Sequence, residues 1–266
     1  MLRGALMIDL ELALKLAFDI SRYIADRISE VNWEEWRRPV GKNPYGTTTK
    51  LVDKIAEEAA FYIIDEYDPE LNVLSEETGF LDRGYKECLI LDPLDGTNNA
   101  INGIPFYGVS IAIGSKTLGD IYFGYVYNVV SADEFYAFKG RGIYWNNQKV
   151  TRPLKTDMKV IYLGKHAREI RNELGEQVND ELYSGKLRSL GAAALELALV
   201  SVGALRYYFQ PAERLRVVDI AAGAFLVWEN GGIVVNRFCK SLKDLPISLD
   251  VRTSVFASLE GKMLIC

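Results

Sequence analysis

The sequence predicts an α+β fold. An early pair of amphipathic helices comes first, then a run of short aromatic and β-branched segments divided by turn residues, then helices alternating with strands. The 266 residues, 49% hydrophobic and 25% charged, are enough to bury a core. The net charge of −5 argues against a nucleic-acid partner, which calls for a strongly basic face.

In chain order, apolar residues recur at helical spacing from Leu10 to Ile28. Asp9, Glu11, Lys15 and Asp19 interrupt each apolar run before it reaches the length of a secretory signal, so this segment reads as an amphipathic helix. No stretch approaches the roughly 20 apolar residues that span a bilayer. A soluble, cytoplasmic chain with no membrane partner is expected. The Pro-, Gly- and Thr-rich segment RRPVGKNPYGTTT reads as an exposed loop that either covers a site or only connects. A second helix is expected from about Thr49 to Tyr67, with Leu51, Val52, Ile55, Ala56, Ala59, Ala60, Ile63 and Ile64 on its apolar face.

After Asp68-Pro69, strands are expected at NVLSEE and ECLILD, both ending in carboxylates, and then antiparallel strands in GVSIAIG, DIYFGYVYN and EFYAFKGRGIYWNNQKV. The second half begins with a strand near Val160 to Leu163 and a polar helical stretch, REIRNELGEQVNDE. RSLGAAALELALVSVGALRYYF reads as a helix leading into a strand, and VVDIAAGAFLVWENGG as a helix closed by Gly231-Gly232, with strands at IVVN and SVFASL to finish. Residues 1–150 are read as an N-terminal α+β half and 151–266 as a C-terminal α/β half completing the site, the whole also fitting a single domain 1–266.

Cys88, Cys239 and Cys266 are odd in number, share no metal-like spacing and fit a reducing compartment, with Cys88 in the core. The sole histidine, His166, lies in a polar context with no nucleophile motif beside it and reads as a surface residue.

Chemistry concentrates in Leu91-Asp92-Pro93-Leu94-Asp95-Gly96-Thr97. Asp-Pro and Asp-Gly are turn dipeptides, so alone this segment reads equally as a turn. Its company changes that: Glu76 and Glu77 end the preceding strand, and Asp219 opens a helix, so carboxylates gather at element ends, where ligand sites are built. Hard divalent cations take such oxygen ligands, whereas zinc would call for the His or Cys that are missing here.

LSEE, LDPLDGTNNAINGIPFYGVSIA and VVDIAAGAF follow one another in the order and approximate spacing of the inositol monophosphatase/fructose-1,6-bisphosphatase superfamily, and the chain resembles that superfamily over nearly its whole length. RGIYWNNQKV resembles one of its hairpins, and LGAAALELALVSVGALRYYF its segment before the last metal aspartate. The resemblance implies a five-layered α-β-α-β-α sandwich with the site between its halves, and a Mg²⁺-dependent phosphatase in which an activated water attacks a phosphate monoester in line. Mn²⁺ is a possible substitute. Glu76, Asp92 and the Leu94 carbonyl would hold one ion and Asp92, Asp95 and Asp219 a second, with a third, weaker ion reached from Glu76 through water.

The same resemblance assigns the water to Thr97, paired with Asp53. A threonine hydroxyl accepts from water only when its own proton is held elsewhere, and Asp53 would hold it. Read alone, Asp53 is a polar-face helix residue. Gly96 and Thr97 are implied to offer their amides beside the substrate phosphate, with a helix starting near Asn98, and Asp95 and Ala193 are implied to bind substrate. Val218 stands where many relatives have tryptophan, and Arg214 and Arg216 where an inositol-contacting glutamate is expected. With Arg188, these arginines resemble the dual-specificity branch acting on fructose 1,6-bisphosphate and inositol 1-phosphate, although a single arginine reads equally as solvated surface. The partner is then a small phosphorylated metabolite, and the assembly a homodimer or homotetramer. The alternatives are a 3′-phosphoadenosine 5′-phosphate phosphatase and a non-catalytic regulator that binds metal and phosphosugar.

Overall fold

A computed structural model describes residues 8–44, 46–162 and 186–260. His166, the stretch REIRNELGEQVNDE and Cys266 lie outside the described residues. The helices are α1 (Leu10–Ser29), α2 (Leu51–Tyr67), α3 (Thr97–Ile101), α4 (Ala193–Ser201) and α5 (Val217–Glu229). The strands up to the middle of the chain are β1 (Pro39–Lys42), β2 (Thr48–Lys50), β3 (Asn72–Ser75), β4 (Gly79–Leu81), β5 (Cys88–Asp95), β6 (Gly108–Gly114), β7 (Phe123–Asn128), β8 (Glu134–Phe138), β9 (Ile143–Trp145) and β10 (Gln148–Lys149). Those that follow are β11 (Met158–Ile161), β12 (Lys186–Arg188), β13 (Tyr207–Arg216), β14 (Ile233–Val235) and β15 (Arg252–Ser258).

Helix α1 is capped by Asp9, whose carboxylate accepts from the amides of Glu11 and Leu12, and its stripe of Ala13, Leu16, Ala17, Ile20 and Ile24 is buried. It pairs with α2 on one face of an eight-stranded sheet ordered β10-β9-β8-β7-β6-β5-β3-β4. From β5 to β10 this sheet is the expected antiparallel meander. β3 and β5 are parallel, with β4 as the edge strand between them in sequence. Helices α4 and α5 fill the opposite face and separate this sheet from a five-stranded one ordered β12-β11-β13-β15-β14.

Helix α5 is buried from Val217 to Val227, as a helix that is apolar all round must be when it lies between two sheets. Its Gly223 lets α4 approach: a Cβ there would lie 2.5 Å from Leu197 Cβ. The far face of the second sheet carries buried Ile161, Tyr207, Phe209 and Phe256. Four layers, a helix pair, a sheet, a second helix pair and a second sheet, are thus made of described residues.

Three local expectations differ from what is found. The segment read as a loop at 37–49 contains the antiparallel pair β1 and β2, whose strands are so short that flanking Pro and Gly residues mask them. The helix expected from Asn98 is the single turn α3, whose last amides already meet a turn at Asn102. The cysteines are not uniformly reduced. Cys88 is free and buried, with its thiol pushed up to about 12 by burial, whereas Cys239 is disulfide-bonded. Among the described residues, no helix is long and apolar enough to cross a membrane.

Candidate active site

Strand β5 runs from apolar Cys88-Leu89-Ile90-Leu91 straight into Asp92 and is buried along its whole length. Pro93 has no amide for the ladder, and the register with β6 shifts between Asp92 and Asp95, a bulge that re-aims both carboxylates. Asp92 Oδ1 accepts from the Leu94 amide at 3.0 Å, fixing that turn. Gly96 then takes φ +89°, and a Cβ there would come within 3.0 Å of Ala192 Cβ and 3.1 Å of the Phe106 carbonyl, so only glycine fits.

Where β5 ends, a cavity of about 900 Å³ opens, lined by Asp53, Glu76, Asp92, Leu94, Asp95, Gly96, Thr97, Arg214, Arg216 and Asp219. Nine of the residues expected at the site thereby meet: Asp53, Glu76, Asp92, Leu94, Asp95, Gly96, Thr97, Arg214 and Asp219. They come from the start of α2, the end of β3, the β5 to α3 turn and the β13 to α5 junction.

Within the cavity Glu76, Asp92 and Asp219 each offer a carboxylate oxygen, all within 4.8 Å of one another. Burial, and then the charges of Glu76, Asp95 and Asp219, push the Asp92 carboxyl well above its ordinary range. Glu76 is likewise raised, by burial first and by Asp219, against the pull of Arg216. Carboxylates so crowded and so buried, with one guanidinium touching them, form a donor set suited to a hard divalent cation.

Asp95 stands beside this group and has a second duty. Its Oδ1 accepts from the Ala193 amide at 3.0 Å and its Oδ2 from the amides of Ala194 and Leu195 at 2.8 and 3.3 Å. Helix α4 has no side-chain cap of its own at Ala192, so Asp95 satisfies its first amides from across the fold. Burial and the Asp219 charge push Asp95 up to about 8, the α4 amides pulling the other way. Ala193, expected to bind substrate, therefore has its amide engaged by Asp95.

Thr97 Oγ1 donates to Asp53 Oδ1 at 2.7 Å and lies 3.1 Å from the Leu94 carbonyl, while Asp53 Oδ2 accepts from the Lys50 amide at 2.9 Å. Burial pushes the Asp53 carboxyl up to about 6, against its bonds to Thr97 and Lys50.

Arg188 is not brought to the cavity. It is exposed on the edge strand β12 and donates to the Leu187 carbonyl at 2.8 Å. The sequence leaves open whether Arg214 or Arg216 meets a phosphate; the Arg216 guanidinium lies among the carboxylates and donates to Glu76 and Asp219. Two supporting residues escaped the sequence reading. Glu196 Oε1 accepts from the amides of Leu190 and Gly191 at 2.8 and 3.2 Å, and Asn99 Nδ2 donates to the carbonyls of Phe106 and Leu190 at 2.7 Å each. A lone acid in the apolar run AALELALVS was the available signal for Glu196. Asn99 had none.

Comparison with known proteins gives the family. Residues 6–263 match the Inositol monophosphatase family. A fructose-1,6-bisphosphatase/inositol-1-monophosphatase of Methanothermobacter thermautotrophicus is 33% identical over 225 residues, 80% of this chain and 79% of that one. A bifunctional NADP phosphatase/NAD kinase of Methanococcus maripaludis is 30% identical over 96% of this chain, which spans only 47% of that longer protein. Among solved structures, a Pyrococcus horikoshii protein described as similar to inositol-1 monophosphatase superposes with a TM-score of 0.80 at 30% identity, covering 96% of each chain.

Proposed function

From the chain's membership of the inositol monophosphatase family, and so of the phosphoric monoester hydrolases, we propose that it dephosphorylates fructose 1,6-bisphosphate and inositol 1-phosphate with Mg²⁺, or Mn²⁺ in its place. The observation that carries the reading is the Thr97 to Asp53 hydrogen bond of 2.7 Å in the same cavity as Glu76, Asp92 and Asp219.

In this mechanism Glu76, Asp92, Asp95, Asp219 and the Leu94 carbonyl would hold two or three divalent ions. When bound, these supply the charge that neutralises phosphoryl oxygens and the leaving alkoxide and makes water a nucleophile. Asp53 Oδ1 keeps the Thr97 proton, so Thr97 Oγ1 presents its lone pairs to the attacking water and orients it behind the phosphorus. Gly96, without a side chain, leaves room for the phosphate beside the turn. Arg214, with Arg252 and Lys50 also lining the cavity, supplies positive charge for a second phosphate. The reading carries with it a cytoplasmic homodimer or homotetramer.

The relatedness to an NADP phosphatase and the size of the cavity favour one second reading, removal of a phosphate from a dinucleotide. One experiment separates the readings: phosphate release from fructose 1,6-bisphosphate, inositol 1-phosphate, 3′-phosphoadenosine 5′-phosphate and NADP, with Mg²⁺ and with EDTA. Release from the first two that EDTA abolishes is expected. Release from a nucleotide alone would replace the substrate and keep the site.

A further inference from the structure

Arg216 is the N-cap of α5 and lies three residues before Asp219. Its backbone amide donates to Asp219 Oδ2 at 2.6 Å, its Nε to Oδ1 and Oδ2 at 2.9 and 3.2 Å, and its Nη2 to Oδ1 at 2.6 Å. Its Nη1 donates to Glu76 Oε1, on an element 140 residues away in sequence. A carboxylate offers about four lone-pair positions. Both oxygens of Asp219 are engaged by this one residue through three donors, and Glu76 is engaged by the same guanidinium. Yet Glu76 and Asp219 are two of the three carboxylates whose oxygens converge within 4.8 Å.

A cation coordinated by Asp219 must share an oxygen that Arg216 holds, and a guanidinium left in place would face that cation across the same oxygens with like charge. The backbone amide belongs to the first turn of α5 and stays, so the side chain is the part that yields. We propose that Arg216 is a built-in counter-ion that exchanges with the divalent cation: it holds Glu76 and Asp219 together when no metal does, and leaves Glu76 when metal enters. Arg216 is thus a positioning residue that weakens metal affinity and limits the repulsion the carboxylates would otherwise suffer. The inference rests on the proposed metal site.

The test needs no turnover. Mn²⁺ binding is measured by the paramagnetic resonance signal of the free ion, for the unaltered protein, Arg216→Met and Arg216→Lys, with melting followed in EDTA and in excess Mg²⁺. Arg216→Met is expected to bind Mn²⁺ about tenfold more tightly or better, a gain of ~1.4 kcal/mol. It is also expected to melt lower than the unaltered protein in EDTA and to gain more from Mg²⁺. Arg216→Lys, which keeps the charge but not the fork, should fall between. A merely structural arginine would lower affinity or leave it unchanged when removed, and either result overturns the exchange. Absence of Mn²⁺ binding in all three proteins would instead overturn the metal site and the inference with it. Should Arg216→Met fail to fold, Arg216→Lys and a Mg²⁺-bound crystal structure of the unaltered protein decide: the Arg216 to Glu76 contact is expected to be broken, and its retention refutes the proposal.

Discussion

Helices α2 and α5 start alike. Each follows a strand directly, each has a basic N-cap, and each sends the carboxylate of its third residue back to the N-cap amide, Asp53 to Lys50 at 2.9 Å and Asp219 to Arg216 at 2.6 Å. Even the local sequence repeats, Lys50-Leu51-Val52-Asp53 against Arg216-Val217-Val218-Asp219. What differs is the partner of the remaining oxygen. Asp53 meets the neutral hydroxyl of Thr97, whereas Asp219 meets a guanidinium that also touches Glu76. A capping carboxylate is held in a fixed rotamer by backbone it cannot escape, which makes it a rigid platform. The same device then serves two ends: against a hydroxyl it polarises a proton, and against a cation it becomes part of a charge cluster.

If that division of labour is right, the two aspartates fail differently. Asp219→Asn should lower phosphate release by about 10³-fold or more, since it removes a charge from the site of metal action, and should weaken Mg²⁺ binding measured by calorimetry. Asp53→Asn should cost about 10²-fold in kcat, within the range of general acid–base effects, with Mg²⁺ binding unchanged. Equal loss of metal affinity in both variants would erase the distinction.

A third buried carboxylate sharpens it on the side of stability. Glu196 accepts two loop amides and, among the described residues, meets no hydroxyl or cation, and burial pushes it up to about 7 from an ordinary glutamate value near 4.5. Because its folded pKa is raised, the folded state favours the protonated form, and that stabilisation is complete below about pH 4.5 and fades as pH rises through about 7. Glu196→Gln keeps the acceptor oxygen and removes the charge. The variant should match the unaltered protein near pH 4.5 and exceed it at pH 8 by on the order of 2 kcal/mol in denaturant unfolding. The smallest expected effect is at the cavity wall. Arg214→Ala should raise KM for fructose 1,6-bisphosphate about tenfold and leave inositol 1-phosphate almost untouched, as loss of a charge-assisted phosphate contact predicts.

The sequence was informative wherever a pattern is local. The stripe on α1, the all-apolar α5 and the alternating segments from β6 to β8 follow directly from periodicity, and Asp92, Asp95 and Asp219 stand out because they punctuate apolar runs. Short elements such as β1 and β2 hid among turn residues, and nothing in NVLSEE or ECLILD says that β3 and β5 run parallel. At the site, residue types were legible and partnerships were not. Arg216 reads as a phosphate ligand or as solvated surface because Glu76, its partner, is 140 residues away, and Asp95 gives no sign that it caps a helix 98 to 100 residues on.

That cap has a kinetic consequence. The first amides of α4 can be satisfied by Asp95 only after the β5 turn and a segment about 100 residues later have met, a contact with a high loop-closure cost. The docking of α4 and the final placement of Asp95 are therefore one event, so a chain emerging during synthesis should acquire a competent site late and all at once. Asp95→Asn, which leaves a single acceptor oxygen for three amides, should slow refolding as well as silence phosphate release, and the two losses should be separable by comparing refolding rates with those of Asp219→Asn.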